Sequence, residues 1–92
     1  MKQVRVVIAG RVQGVGFRYW TQDEAQRRGL DGWVRNLVNG RVEACFQGDP
    51  DKVDDMLRAC HEGPRFASVL RVEIFDSEEA VEPGFQILPT GG

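Results

Sequence analysis

The sequence predicts an α+β domain in which strand, helix, strand, strand, helix and strand follow in that order, with a short further strand at the end. Three observations carry this reading. Apolar residues alternate at the start of the chain, two segments show helical spacing between clear start and stop signals, and an Asn-Gly pair joins two strand-like runs.

From Val4 to Val12, the residues Val4, Val6, Ile8 and Val12 fall on one side while Arg5, Val7 and Arg11 fall on the other, the period of a half-buried strand. After the turn-rich Gln13-Gly14-Val15-Gly16, residues 17–28 contain no breaker and repeat Phe17, Thr21 and Ala25 at four-residue spacing until Gly29 ends the helix. Asp31–Leu37 and Arg41–Gln47 read as two strands around Val38-Asn39-Gly40, because Asn and Gly both tolerate the positive φ of a tight hairpin. Asp49 is a good N-cap and Pro50 suits a first helical position. Val53, Met56, Leu57 and Cys60 then follow at i, i+3, i+4 and i+7 until Gly63-Pro64 stops the second helix. Leu70, Val72 and Ile74 alternate with Arg71 and Glu73 in a fourth strand. An acidic loop runs from Asp76 to Glu82, and Phe85–Leu88 is a short final strand.

This order is the split β-α-β arrangement of ferredoxin-like folds, with an antiparallel sheet of order 4-1-3-2 and both helices on one face. In that topology the first two strands point the same way. The loop after strand one, the start of helix one and the end of strand two therefore share one sheet edge. They stand about 10 Å apart across two strand spacings, a gap that an arginine and an asparagine can largely close.

A chain of 92 residues buries roughly 60 to 65% of its extended surface, enough for one sheet and two helices, so residues 1–92 are expected to form a single domain. The net charge of −2 argues against a general nucleic-acid binder. The chain starts directly into strand-like alternation without a signal-peptide pattern. Its longest apolar run, residues 6–9, is far short of the ~20 residues of a membrane helix. Cys45 and Cys60 lack metal-site spacing and are expected as reduced thiols in a cytoplasmic, monomeric protein.

Gln13-Gly14-Val15-Gly16-Phe17-Arg18 leads from a strand into a helix N-terminus, where the first N–H groups have no internal partner and the helix dipole favours an anion. Two glycines let successive amides converge, and Arg18 adds a planar fork of donors suited to phosphoryl oxygens. A dinucleotide fingerprint would need glycine where Tyr19 stands, and a Walker loop would need Lys followed by Ser or Thr. The loop fits one phosphoryl group, and with no carboxylate in it a bridging magnesium is not indicated. An isolated Gly-x-Gly is ordinarily only a turn. Arginine at a helix N-terminus opposes the dipole, however, and is best explained by an anion beside it. Asn36 stands near the end of an otherwise apolar strand at the same edge, where it could equally cap the hairpin turn.

Gly10-Arg11-Val12-Gln13-Gly14-Val15-Gly16-Phe17-Arg18, followed by Gly32-Trp33-Val34-Arg35-Asn36 and Asn39-Gly40-Arg41-Val42-Glu43, closely resembles the acylphosphatase family. The resemblance spans nearly the whole chain and includes Gly48, Gly63-Pro64 and Phe85. It departs at Arg65-Phe66-Ala67-Ser68, where the family often has small residues, and in a slightly longer tail from Leu88. It implies metal- and cofactor-independent hydrolysis of an acyl phosphate to a carboxylate and inorganic phosphate. The implied catalytic residues are Arg18, which binds phosphate, and Asn36, which orients the attacking water; the amides of Gly14, Val15, Gly16, Phe17 and Arg18 hold the phosphoryl oxygens. A carboxylate leaves readily, so positioning and charge stabilisation suffice in such a site.

Elsewhere, His61 closes helix two and reads as a favourable C-terminal charge. Cys60 reads as core, and Cys45 as lying on the open sheet face. Trp20 and Trp33 read as packing groups that could reach a substrate. Arg5, Arg11, Arg35, Arg41 and Arg71, interleaved with Glu43 and Glu73, read as a solvated, ion-paired face. RNA recognition would require aromatics on the open face of the central strands, and the one aromatic in Arg41–Phe46 is phased inward. A non-catalytic phosphate-binding or regulatory module remains the alternative.

Overall fold

The computed structural model describes residues 1–92. The elements are β1 (Lys2–Arg11), α1 (Phe17–Arg27), β2 (Asp31–Asn36), β3 (Val42–Gly48), α2 (Pro50–Glu62), β4 (Ser68–Asp76) and β5 (Phe85–Ile87). The sheet order is β4-β1-β3-β2-β5. The expected antiparallel 4-1-3-2 sheet is present, and the terminal strand adds to β2 in parallel, which makes the five-stranded sheet mixed.

Alternation in the sequence becomes burial in the fold. Val4, Val6 and Ile8 of β1, Val42, Ala44 and Phe46 of β3 and Val34 of β2 meet Phe17 and Ala25 of α1 and Val53, Met56 and Cys60 of α2 in one core. Phe46 stacks on Phe85 with ring centroids 5.5 Å apart, which seats the short β5 on the sheet. The α2 N-cap forms as expected, Asp49 Oδ1 accepting from the Asp51 N–H at 2.9 Å. Arg28, just past α1, donates from Nε to Asp55 of α2 at 2.8 Å and ties the two helices together.

Two expectations change. The alternation placed Leu70 in phase with Val72 and Ile74, but a β-bulge opposite Ala9 and Gly10 pairs Ala9 with Arg71 and Gly10 with Val69. Leu70 is the extra residue and is 82% exposed, while Val69 packs against the core in its place. The face opposite the helices is also not simply open. After β4 the chain crosses the whole sheet to reach β5 on the far edge. Gln3 Nε2 pins the crossing segment by donating to Ser77 Oγ at 3.1 Å and to the Glu79 carbonyl at 2.9 Å, and Trp33 Nε1 donates to Glu79 Oε1 at 3.2 Å.

Cys45 faces this side as its phase required, yet it is fully buried. Glu43 is only 8% exposed, because Arg5 donates to its Oε2 at 2.9 Å and Arg35 to its Oε1 through Nε at 2.8 Å and Nη2 at 2.7 Å. The two guanidiniums lie in turn over Phe75 and Trp33. This part of the arginine face is a half-buried triad rather than a set of solvated pairs.

Burial pushes the Cys45 thiol up to about 11, with the charge of Glu79 adding to the effect, and the Cys60 thiol up to about 12. Unfolded thiols ionise near 9.0, so the folded state holds these protons more tightly; the resulting stability is complete below pH 9 and drains away as pH rises through 11. Both cysteines should therefore resist iodoacetamide at pH 8 in the native protein and react only on unfolding, as read by intact mass. Urea midpoints should fall between pH 9 and 11, and less so in Cys45→Ala.

Candidate functional site

Where β1 ends, Val12 is anchored in the core and the chain turns through two left-handed glycines, Gly14 at φ 73° and Gly16 at φ 78°. A Cβ at either would meet no atom within 4 Å, so these positions need glycine for conformation rather than for space. Val15 between them has a negative φ, and such alternation of hand turns successive N–H groups toward one concavity. Gly16 is the α1 N-cap and carries no side chain to satisfy the helix end. The first turn contains no acidic residue, and the first helical bond runs from Trp20 N–H to the Gly16 carbonyl at 3.0 Å. The N–H groups of Gly14, Val15, Gly16, Phe17 and Arg18 donate to no acceptor in the protein.

Val15 and Phe17 can offer a ligand only their amides, because their side chains are packed. The Phe17 ring is buried against Trp20 with centroids 5.3 Å apart, and Val15 packs on the core. Arg18 is half-buried and joins no ion pair, although Arg5, Arg27, Arg28, Arg35 and Arg58 all do. One turn further along α1, Gln22 donates to the Phe85 carbonyl of β5 at 3.1 Å. Arg18 and Gln22 share a helical stripe at i and i+4, so Arg18 stands on the α1 face turned to β2 and β5.

Asn36 is the last residue of β2 and shares its phase with Gly32 and Val34, so its side chain lies on the helix side of the sheet, at the edge that carries the glycine loop. Its Oδ1 is buried and accepts no hydrogen bond, the one side-chain nitrogen or oxygen in the molecule in that condition. Asn36 therefore does not cap the hairpin. Asn39 does, its Oδ1 accepting from the Arg41 N–H at 3.0 Å.

Two further parts of this edge have contacts that no sequence motif announces. Gln13 reaches from the loop to the hairpin, where its Nε2 donates to the carbonyls of Leu37 at 2.8 Å and Arg41 at 2.9 Å, fixing the glycine loop against the end of β2. Residues after β5 continue along β2, Leu88 N–H donating to the Val34 carbonyl at 2.9 Å and Gly91 N–H to the Asn36 carbonyl at 3.0 Å. Pairing of a side-chain amide with two main-chain carbonyls has no pattern to detect, and the tail carries too few apolar residues to read as a strand.

The structure gives the other candidates packing or hydrogen-bond partners within the protein. Trp33 lies on the opposite face of the sheet from Asn36, and Trp20 packs on Phe17. The end of α2 does reach the same edge, with Gly63 against the Phe17 ring, but the His61 ring donates from Nδ1 to the Leu57 carbonyl at 2.9 Å. The hollow in the surface lies elsewhere, beneath the crossing segment between Trp33, Val81, Gln86 and Leu88, so the loop is a shallow, open cradle. No three His, Cys, Asp or Glu side chains gather to hold a metal ion. A curl of free amides, a helix N-terminus, an unpaired guanidinium and one orphaned carbonyl oxygen together suit a tetrahedral oxyanion attacked by a neutral nucleophile.

The acylphosphatase family model matches residues 4–87. An acylphosphatase of Nitrobacter hamburgensis is 51% identical over 92 aligned positions, covering 94% of this chain and 93% of its own. Another, from Rubrobacter xylanophilus, is 56% identical over 79% of this chain and 66% of its own length. The crystal structure of acylphosphatase from Bacillus subtilis superposes with a TM-score of 0.90 at 38% identity, covering 96% of this chain and 99% of that one.

Gln13→Ala removes one of the two donors to each of the Leu37 and Arg41 carbonyls, which keep the N–H groups of Gly40 and Leu37, and should lower stability in urea unfolding by about 0.5 to 1.5 kcal/mol. Because the loop loses its anchor, inorganic phosphate should inhibit this variant more weakly than wild type.

Proposed function

The chain belongs to the acylphosphatase family and is an acyl phosphate hydrolase, and we propose that the cradle, Arg18 and Asn36 divide that reaction between them. The amides of Gly14 to Arg18 hold the non-bridging oxygens of the phosphoryl group, and the Arg18 guanidinium, free of any protein carboxylate, pairs with the same oxygens. Asn36 Oδ1 accepts one hydrogen of a water molecule and leaves an oxygen lone pair aimed at phosphorus. The single observation that supports this most strongly is the buried, unpartnered state of that Oδ1.

In the reaction the water oxygen bonds to phosphorus as the bond from phosphorus to the acyl oxygen breaks, and the acyl group departs as a carboxylate. The water proton passes to a phosphoryl oxygen of the substrate itself, a route that needs no general base from the protein. Little covalent work falls to the protein, whose contribution is to position the reactants and stabilise charge redistributed over the equatorial oxygens. A metal ion is not required in this scheme, because Arg18 and the helix N-terminus supply the positive potential.

The loop, Arg18 and Asn36 all come from one chain, which supports a monomeric enzyme. No helix is long and apolar enough to cross a membrane, and the two buried free thiols support a cytoplasmic setting.

Assay of a simple acyl phosphate with chelator present tests the reading. Wild type should turn over undiminished, Arg18→Ala should lose about 10³-fold or more in kcat/KM by analogy with other phosphoryl-stabilising arginines, and Asn36→Ala should lose about 10²- to 10³-fold, chiefly in kcat. A folded wild type that binds phosphate without hydrolysing the substrate would instead identify a phosphate-binding module.

A further inference from the structure

We infer that Gly91 is a positioning residue for the reaction, a clamp that fixes the main chain of Asn36 and thereby the aim of its side chain. The inference rests on the role proposed above for Asn36. Asn36 ends β2, and a strand end is ordinarily free to fray on any side where it lacks a neighbour. On the inner side Asn36 pairs with Val42 of β3. On the outer side β5 stops at Ile87, opposite Val34, two residues short of Asn36. Gly91 fills that gap. Its N–H donates to the Asn36 carbonyl at 3.0 Å and its carbonyl accepts from the Val38 N–H at 3.1 Å, so one residue grips the strand on both sides of Leu37.

The clamp has little slack. A Cβ added at Gly91 would collide with the Arg35 guanidinium and stand 2.8 Å from its Cζ. That guanidinium is the end of a long side chain, but it is not free to swing aside. Nε and Nη2 both bond Glu43 Oε1, Glu43 is buried and also held by Arg5, and the Trp33 ring lies 5.4 Å away. The buried triad on one face of the sheet thus backs the tail, and the tail backs the residue that faces the cradle on the other. Asn36 Oδ1 has no hydrogen bond of its own to orient it, so its direction is inherited from its backbone. Any looseness at Gly91 passes straight to the attacking water.

The test is steady-state kinetics on an acyl phosphate, with inorganic phosphate as competitive inhibitor, for wild type, Gly91→Ala, Asn36→Ala, Arg35→Ala and the doubles of Gly91→Ala with each of the other two. Gly91→Ala should lower kcat by about 10- to 100-fold through misplacement of the nucleophile, with KM and phosphate inhibition unchanged because the cradle is untouched. Unchanged phosphate inhibition also reports that the variant is folded. Added to Asn36→Ala, Gly91→Ala should cause no further loss. Added to Arg35→Ala, which opens the space a methyl needs, it should cost far less than in wild type. Full kcat in Gly91→Ala overturns the clamp, as does loss of kcat and phosphate inhibition together, or a loss that adds independently to that of Asn36→Ala. Should Asn36→Ala retain full rate, the catalytic reading of Asn36 falls and the clamp with it; a slow Asn36→Ala beside an unimpaired Gly91→Ala overturns the clamp alone.

Discussion

The functional edge depends on one topological constraint, that β1 and β2 run in the same direction with β3 between them. A helix return after β1 and a hairpin return after β2 impose it, and it brings the exit of one strand and the end of the other to the same edge of the sheet. The glycine loop leaves β1 there, and Asn36 ends β2 there. Neither strand contacts the other, so their separation is set by the width of β3 and trimmed by the two hydrogen bonds from Gln13. Main-chain geometry governs this distance, which is why so small a molecule can hold the glycine loop and the unpartnered Asn36 oxygen at one edge without a deep cleft.

Charge at this edge is arranged by omission as much as by placement. The first turn of α1 contains no carboxylate, Gly16 offers no side-chain cap, and Arg18 is half-buried without an ion pair, whereas the half-buried Arg5, Arg28 and Arg35 each hold a carboxylate. Each of these choices is mildly unfavourable for an empty helix end. Together they keep positive potential and hydrogen-bond donors uncommitted where an anion would bind. Local rules that hold in the rest of the fold, such as the Asp49 cap on α2, are broken at the one place where a ligand is expected to supply the missing partner.

How much of this could be read from the chain follows from the range of each interaction. The alternation of β1, the Asn39-Gly40 turn, the Asp49-Pro50 helix start and the Gly14 to Arg18 loop are local patterns, and each is found where its residues predicted it, although only Gly40 of the turn pair takes a positive φ and Asn39 serves through its side chain. Long-range partners were not legible. Leu70 shares the alternation of its strand, yet the bulge that expels it is decided by how β4 pairs with β1. Glu43 and Cys45 are correctly phased to the face away from the helices, but their burial depends on side chains and a crossing segment distant in sequence. Asn36 was identified by its position and by resemblance. That its Oδ1 lacks a partner, and that Gly91 grips its main chain, emerge only once β2 has neighbours on both sides.

The segment that crosses the sheet also bears on how the molecule assembles. Strands β4 and β5 are consecutive in the chain but lie on opposite edges of the sheet, so no hairpin can zip one onto the other. The crossing is tied down by Gln3, 74 residues from Ser77 and 76 from Glu79, so its docking site exists only after β1, β3 and β2 are already in place. Closing loops of that length costs entropy before any contact is returned, and chains dominated by such pairings fold on the millisecond-to-second scale rather than in microseconds. Geometry ties these pieces together: the strap lies on the sheet made by β1, β3 and β2, and β5 and the tail lie beyond it on the strand that carries Asn36. A chain with most of its core in place but the strap and tail undocked would lack the pairing that holds the end of β2.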